Sequence, residues 1–405
     1  MIATLTPMFD NSMNVTAYSI FAQRANYFLN PGMLNPDYLD GAGYVDGFEI
    51  IDSMGTETIS EDREVFVELS AIALFADLDS QHGAPHDRIV LLIDSTVGPE
   101  ERNVERIREL KSTGYRFAMQ GLQINQFEAF KQILMQMDYI LLDHKRIIIK
   151  KAKIYFNKMY PNMKLGALNV DSKEEYEKLS ANGSFDLYEG AFFRMPVTEQ
   201  QTEVAPVKAN YIRLLNTVNE PDYELTDAAD VIGQDTALII SLLKMVNRMV
   251  PSEVSSVRQA AALLGQRELK KWINTAVTRE LCADKPSEII RMSLLRAKLC
   301  ENLAPILGFH QSEQEPFLLG LFSAIDVMLD VPMEEALKKI NLSKQINEAL
   351  LHSAGPLYPL LQFMLLYENA EWTELSRIMV IEEIDMDTVY RAYLDALKWY
   401  RELFI

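Results

Sequence analysis

Arg88–Met119, RIVLLIDSTVGPEERNVERIRELKSTGYRFAM, reads as a strand, a helix and a second strand. Arg88–Ile93 is a short, unbroken apolar run, the pattern of a strand covered on both faces. Gly98-Pro99 then punctuates the chain. Glu100–Thr113 carries its apolar residues at helical spacing until Gly114 stops it, and Arg116–Met119 is the next apolar run. A strand–helix–strand unit of about thirty residues is a crossover and calls for a parallel sheet. The same rhythm gives further candidate strands at Val15–Ala22, Gly47–Ile51, Tyr139–Leu142 and Leu165–Val170. Helical stretches at Asn125–Met137 and Ser172–Ala181 lie among them, the latter opening with Ser172 and with Glu175 three residues on, in the manner of a capping box. A parallel sheet of this kind is open or closed. Roughly 200 residues of it favour a (β/α) TIM-like barrel.

Past Pro196 the pattern changes. Val197–Asn210 is polar and acidic, with Thr198, Glu199, Gln200, Gln201, Thr202 and Glu203 before Pro206, and reads as a linker or the first loop of a new domain. From Tyr211 onward apolar residues recur every three or four positions, from Leu225–Ile232 and Leu238–Met249 through to Asp385–Glu402. Period-two alternation is nearly missing, so the second half is expected to be all-α. The expected domains are a barrel at 1–197 and a helical domain at 198–405.

At 405 residues the chain has room for two sizeable cores. Its 48% hydrophobic and 24% charged residues are those of a globular protein and exclude collagen-like or low-complexity classes. A net charge of −19 opposes broad nucleic-acid binding and adhesion to an anionic membrane. Cys282 and Cys300 lie eighteen positions apart in helical-looking sequence, about 27 Å on one straight helix, too far to bridge. They read as buried thiols of a reducing compartment. No basic segment leading into an apolar run opens the chain, and no apolar stretch is long enough to span a bilayer. The expectation is a cytoplasmic protein.

Motifs for common chemistries are few. His82 and His86 have the i, i+4 spacing of a helical metal pair, but Gly83 and Pro85 between them argue for a loop. His144-Lys145-Arg146 with Lys150-Lys151 is a basic run, read as a solvated face, with a phosphate or acidic-partner patch as the sharper alternative. His310 and His352 are isolated. CxxC and HExxH do not occur and the one His-Asp pair, His86-Asp87, lies in the same loop as His82, so no metal ligand set and no cofactor is expected. Gly41-Ala42-Gly43 lacks the third glycine of a dinucleotide loop, and neither GxxxxGK[ST] nor GxSxG is found.

The order of landmarks nonetheless resembles a bacterial tandem, an EAL domain followed by an HDOD domain. The opening Leu5-Thr6-Pro7-Met8-Phe9-Asp10 is similar to the family's RQPIFD, and Ala17-Tyr18-Ser19-Ile20-Phe21 to its AYELL. Phe66-Val67-Glu68-Leu69-Ser70, Gly114-Tyr115-Arg116-Phe117-Ala118, Asp138-Tyr139-Ile140 and the run Phe185–Phe193 continue the series. The resemblance implies a (β/α) barrel that in active members hydrolyses cyclic di-GMP with two divalent cations at the strand ends. It also implies where those ligands would stand. The signature glutamate falls on Ser19 and the phosphate-gripping arginine on Gln23, with Arg24 one place away. The asparagine of FVNLS falls on Glu68, the glutamates of ExLE on Leu92 and Ser95, and the paired aspartates of ALDDF on Gln120 and Gly121. The general-base lysine falls on Leu141, with Asp143 retained. AExVE reads Ala167-Leu168-Asn169-Val170-Asp171, and the QGYFF glutamine is Glu189.

A cation pair stripped of these ligands loses its charge compensation, and an amide cannot offer phosphate a charged fork. The vestigial site is therefore expected at Ser19, Gln23, Glu68, Asp143, Asp171 and Glu189, with no metal and no catalytic residue. In the second half, Ile232–Leu238 and Leu242–Asn247 resemble the HDOD stretch IxxDPALxxxLLRxxN, and Ser255–Ala260 with Leu264-Gly265 resembles SIxxAIxxLG. Leu319–Asp326 stands where an HD hydrolase has GLLHDIG, with Ser323-Ala324 in place of the His-Asp pair. The resemblance thus implies a non-enzymatic signalling or scaffold protein of cyclic di-GMP systems, working through protein partners. A metal-free cyclic di-GMP sensor is the alternative, an active phosphodiesterase the third reading. Homodimerisation is expected by analogy with EAL barrels alone, and neither nucleic acid nor membrane is expected as a partner.

Overall fold

The computed structural model describes residues 1–23, 44–181, 185–194, 208–220, 222–250, 254–309 and 314–403. Arg24, the glycine pattern at 41–43, residues 197–207 of the expected linker and His310 lie outside the described residues.

Eight strands close into a barrel in sequence order: β1 (Ile2–Phe9), β2 (Val15–Gln23), β3 (Glu64–Glu68), β4 (Ile89–Ile93), β5 (Arg116–Met119), β6 (Tyr139–Asp143), β7 (Lys164–Leu168) and β8 (Leu187–Glu189). From β2 to β8 all neighbours pair in parallel, while β1 runs antiparallel to both β2 and β8. The β1–β2 link is a tight turn and carries no helix. Asp10 Oδ1 accepts hydrogen bonds from the amides of Ser12 and Asn14 at 2.7 and 2.9 Å, and Met13 takes a left-handed backbone.

The outer helices are α1 (Phe48–Ser60), α2 (Glu101–Ser112), α3 (Lys131–Leu134), α4 (Ile149–Met159) and α5 (Lys173–Ala181). β4 is buried at all five positions, and α2 covers the sheet with Val104, Ile107 and Leu110, a single stripe at helical spacing. The sequence reading did not include β1, β3, β8 or α4, and two stretches that it did include take another form. Gly47–Ile51 is not a strand but the start of α1, because its apolar residues continue to Ile59 on one buried side. Asn125–Met137 is not one helix but a 3₁₀ turn, whose N-cap Gln123 and Gln126 form a capping box, followed by the short α3. Ser172 does cap α5, accepting from the Glu175 amide at 3.2 Å.

Helices make up the rest: α6 (Ala209–Asn219), α7 (Leu225–Ile232), α8 (Thr236–Met249), α9 (Val257–Leu281), α10 (Ser287–Ile306), α11 (Gln314–Leu321), α12 (Ile325–Leu329), α13 (Met333–Lys339), α14 (Lys344–His352), α15 (Tyr358–Glu368), α16 (Trp372–Ile381) and α17 (Met386–Glu402). The chain forms two compact units, Met1–Met195 together with Phe363–Ile405, and Pro196–Gln362. The last residues, which the sequence reading put in a helical domain of 198–405, thus stand with the barrel. Both cysteines are buried and carry no disulfide among the described residues, and burial pushes the Cys282 thiol up to about 12. Among the described residues no single helix is long and apolar enough to cross a membrane.

Candidate functional site

Side chains alternate across a strand, so every second residue of β3, β5, β6, β7 and β8 enters the barrel and the interior fills in layers. At the amino-terminal end Glu64, Arg116, Tyr139 and Lys164 form a plug. Arg116 pairs with Glu64, Tyr139 Oη donates to Glu64 Oε2 at 2.5 Å, and Lys164 Nζ donates to Tyr139 Oη at 3.1 Å. Burial and the neighbouring Glu64 raise the Tyr139 phenol well above its ordinary range. The middle is apolar, a single buried cluster that includes Met8, Ala17, Phe66, Val90, Leu92, Ala118 and Leu141. A Cβ on Gly166 would lie 2.5 Å from Leu141 Cδ2, so glycine at that place makes the room that Leu141 occupies.

The carboxyl-terminal mouth has two halves. On the side of β2 to β5 a cleft of about 260 Å³ is lined by Tyr44, Glu68, Ser70, Leu92, Asp94 and Gln120, among others. Gln120 Nε2 donates to Glu68 Oε1 at 3.1 Å, and Asp94 Oδ1 accepts from the Thr96 amide and hydroxyl at 2.8 and 2.6 Å. On the side of β6 to β8 a charged cluster forms. Asn169 Nδ2 donates to Asp143 Oδ2 at 2.9 Å, and the Asn169 amide donates to Glu189 Oε2 at 3.4 Å. Arg146 Nε stands 3.1 Å from Asp143, and Lys145 pairs with Asp171. Burial raises the Glu189 carboxyl above its ordinary value. The Asn169 amide and Arg194 oppose that rise, while Asp171 and Asp143 add to it.

The six expected site residues are therefore distributed. Asp143, Asp171 and Glu189 come together at β6–β8, and Glu68 lines the cleft. Gln23 ends β2 opposite Ile2, whereas Ser19 is buried within β2 between Thr6 and Phe66. Asn169 and Gln120, which join these groups, were not among the expected six. Asn169 has φ +59°, a left-handed backbone that asparagine tolerates better than most residues, so an asparagine just past a strand was the available signal. The mouth does not fit a two-cation centre. Among the described residues no three His, Cys, Asp or Glu side chains converge as metal ligands, and each mouth carboxylate already has an amide, hydroxyl or cationic partner. The β6 position expected to hold a general-base lysine is the buried Leu141.

In the helical unit α10 and α11 cross closely, with a Cβ on Gly320 falling 2.2 Å from the Arg296 carbonyl oxygen. Arg296 Nη1 donates to Ser323 Oγ at 3.0 Å, and Ser323 Oγ donates to the Gly320 carbonyl at 2.8 Å. Asp326 is buried nearby, its carboxyl raised by burial and drawn back by backbone amides and Arg296. A guanidinium and a hydroxyl thus stand at Ser323-Ala324.

Residues 204–355 match the HDOD domain. Along most of its length the chain is similar to the protein named cyclic di-GMP phosphodiesterase CdgJ of Vibrio cholerae, with 26% identity over 376 residues, 91% of this chain and 86% of that one. It is similar also to Bacillus subtilis YuxH, 27% identical over 361 residues and 87% of each chain. A solved structure of Bacillus subtilis YkuI, with an EAL domain in complex with cyclic di-GMP and calcium, aligns over 47% of this chain and 54% of that one at 13% identity and a TM-score of 0.36. The relative named a phosphodiesterase overturns the expectation that the chain is no enzyme. The physical reason is that substituting the metal ligands removes one mechanism only. The mouth keeps carboxylates in paired arrangements, and burial raises one of them, Glu189.

Proposed function

An HDOD domain at residues 204–355 follows a closed eight-stranded barrel, the arrangement of an EAL-HDOD tandem, and from this premise we propose that the chain acts on cyclic di-GMP at the carboxyl-terminal mouth of its barrel. The observation that carries the reading is the cleft at the ends of β2–β5, a concave site on which Glu68, Asp94 and Gln120 converge. Its chemistry suits a guanine better than a phosphate. Glu68 and Gln120 offer acceptors to the N1–H and N2–H edge of the base, and the half-exposed Tyr44 offers a ring face. The phosphates belong on the opposite rim, where Lys145 and Arg146 stand beside the Asp143 and Asp171 carboxylates. The relative named a phosphodiesterase supports turnover; in this reading water attacks the phosphorus, the P–O bond to the ribose breaks, Glu189 gives its proton to the departing oxygen, and a neighbouring mouth carboxylate takes the proton that the water loses.

Titration calorimetry of the whole chain with cyclic di-GMP, with and without Mn²⁺, followed by chromatography for the linear dinucleotide, tests this. Binding is expected without added cation, weakened about tenfold or more by Glu68→Ala, an amount typical of a lost hydrogen bond to a charged group. Glu189→Gln is expected to keep binding and lose product. Neither heat nor product from the unaltered chain would sink the reading.

A further inference from the structure

A second cavity lies in the helical unit, far in sequence from the barrel mouth. It has a volume of about 50 Å³ and is walled by α9, by Glu301 of α10, and by Phe317 and Leu318 of α11. α9 is not one continuous helix. Gly265, with φ +73°, breaks it, and the second segment starts immediately afterwards. Arg267, Lys270 and Lys271 all sit in the first turns of that segment and all line the cavity. Three cations at a helix amino terminus oppose the helix dipole and one another, so this placement costs the fold stability.

Two of the cations have partners. Arg267 Nε stands 3.2 Å from Glu268, an exposed neighbour. Lys271 Nζ donates to both Glu301 oxygens at 2.7 and 2.8 Å and lies 4.7 Å from the centre of the Phe317 ring. Glu301 is further neutralised by Lys298 Nζ at 2.6 Å, which with Lys271 holds its carboxyl below the ordinary range against the effect of burial. Lys270 is different. Its ammonium is half-buried, with no ion pair or hydrogen bond among the described residues, and burial alone lowers its pKa. Its own backbone carbonyl accepts from the Nδ2 of the fully buried Asn274, which forms another part of the cavity wall. In a chain of net charge −19, a cavity holding an uncompensated ammonium, a rim guanidinium and a neutralised carboxylate is built for an anion.

We infer that this cavity between α9, α10 and α11 binds a phosphate-bearing small molecule, with Lys270 as its buried counter-ion and Arg267 as its second donor. A phosphate dianion can accept from both at once, which a single carboxylate on a small acid does less completely. A group attached to the phosphate would leave the cavity on the apolar side formed by Phe317 and Leu318.

Thermal unfolding of the whole chain with inorganic pyrophosphate, and separately with guanosine monophosphate, both against sodium chloride of equal ionic strength, is the test. A rise of a few degrees at saturating pyrophosphate is expected. Lys270→Met is expected to raise the unliganded Tm, because an unpaired buried charge is replaced by an apolar chain of similar length, and to abolish the pyrophosphate shift. Arg267→Ala weakens the shift about tenfold in concentration. Glu68→Ala, at the barrel mouth, leaves it unchanged, so the cavity and the mouth fail or succeed separately. A larger shift with guanosine monophosphate identifies the attached group as a nucleoside, and an equal one assigns the binding to the phosphate alone. No shift with either probe overturns the inference, as does a shift that survives Lys270→Met.

Discussion

Glu189 carries the clearest single-residue consequence. Its folded pKa lies above the unfolded value of 4.5, so the folded chain holds a proton that the unfolded chain has already released. The stability this contributes is present in full below about pH 4.5 and is lost as pH rises through the folded pKa. Glu189→Gln, which is neutral at every pH, should therefore raise the Tm by a few degrees at pH 7–8, with the gain vanishing near pH 4. A thermal scan across that range checks it, and an equal gain at both ends would show that the effect is not titration. Asp143, Asp171 and Glu189 were legible as positions in a motif order. The amide of Asn169 that gathers Asp143 and Glu189 was not, because its contacts depend on a left-handed backbone after β7. Leu141 was legible as an apolar residue of a strand, but the glycine one strand away that gives it room was visible only in the folded barrel.

Elements followed the sequence where the apolar period was strong and failed where it was short. α2 and β4 were readable because one presents a stripe and the other an unbroken run. The segment around Ile124–Leu134 was misread because four apolar residues at near-helical spacing serve two short turns equally well. At this scale the α10–α11 crossing is the most sensitive to substitution. Gly320→Ala places a methyl group against the Arg296 backbone, which cannot give way as a flexible side chain would. A loss of roughly 1–3 kcal/mol in the stability of the helical unit is expected, the usual range for overpacking. Urea unfolding followed by near-ultraviolet dichroism measures it, and an unchanged midpoint would mean that the helices slide apart at little cost. The cap of α8 offers a milder comparison. Asp235 Oδ1 accepts from the amides of Ala237 and Leu238 at 2.8 and 3.0 Å, and Asp235→Ala should cost about 1 kcal/mol.

For the whole molecule, the barrel unit is completed by residues far away in sequence. Tyr367, entirely buried, donates its hydroxyl to the Ala3 carbonyl at 2.8 Å and packs on Tyr393. The amino terminus pairs with Asp387 at 3.1 Å, and Arg401 pairs with Glu57. Ending the chain at Gln362 strips the cover from β1 and exposes the buried faces of α16 and α17's partners on the barrel. Calorimetry of that shortened chain should show a lower unfolding temperature for the barrel, together with binding of a hydrophobic dye. An unchanged barrel transition would show that α16 and α17 are dispensable to it. What the amino-acid sequence determined by itself was local and periodic: a β/α first half, an all-helical second half, and the order of landmarks along each. The tertiary structure alone decided which strands close on one another, which carboxylates meet, that Lys270 has no counter-ion among the described residues, and that the last helices cover the first strand. These depend on contacts between residues hundreds of positions apart, whose geometry is set by packing and carries no signal in the spacing of neighbours along the chain.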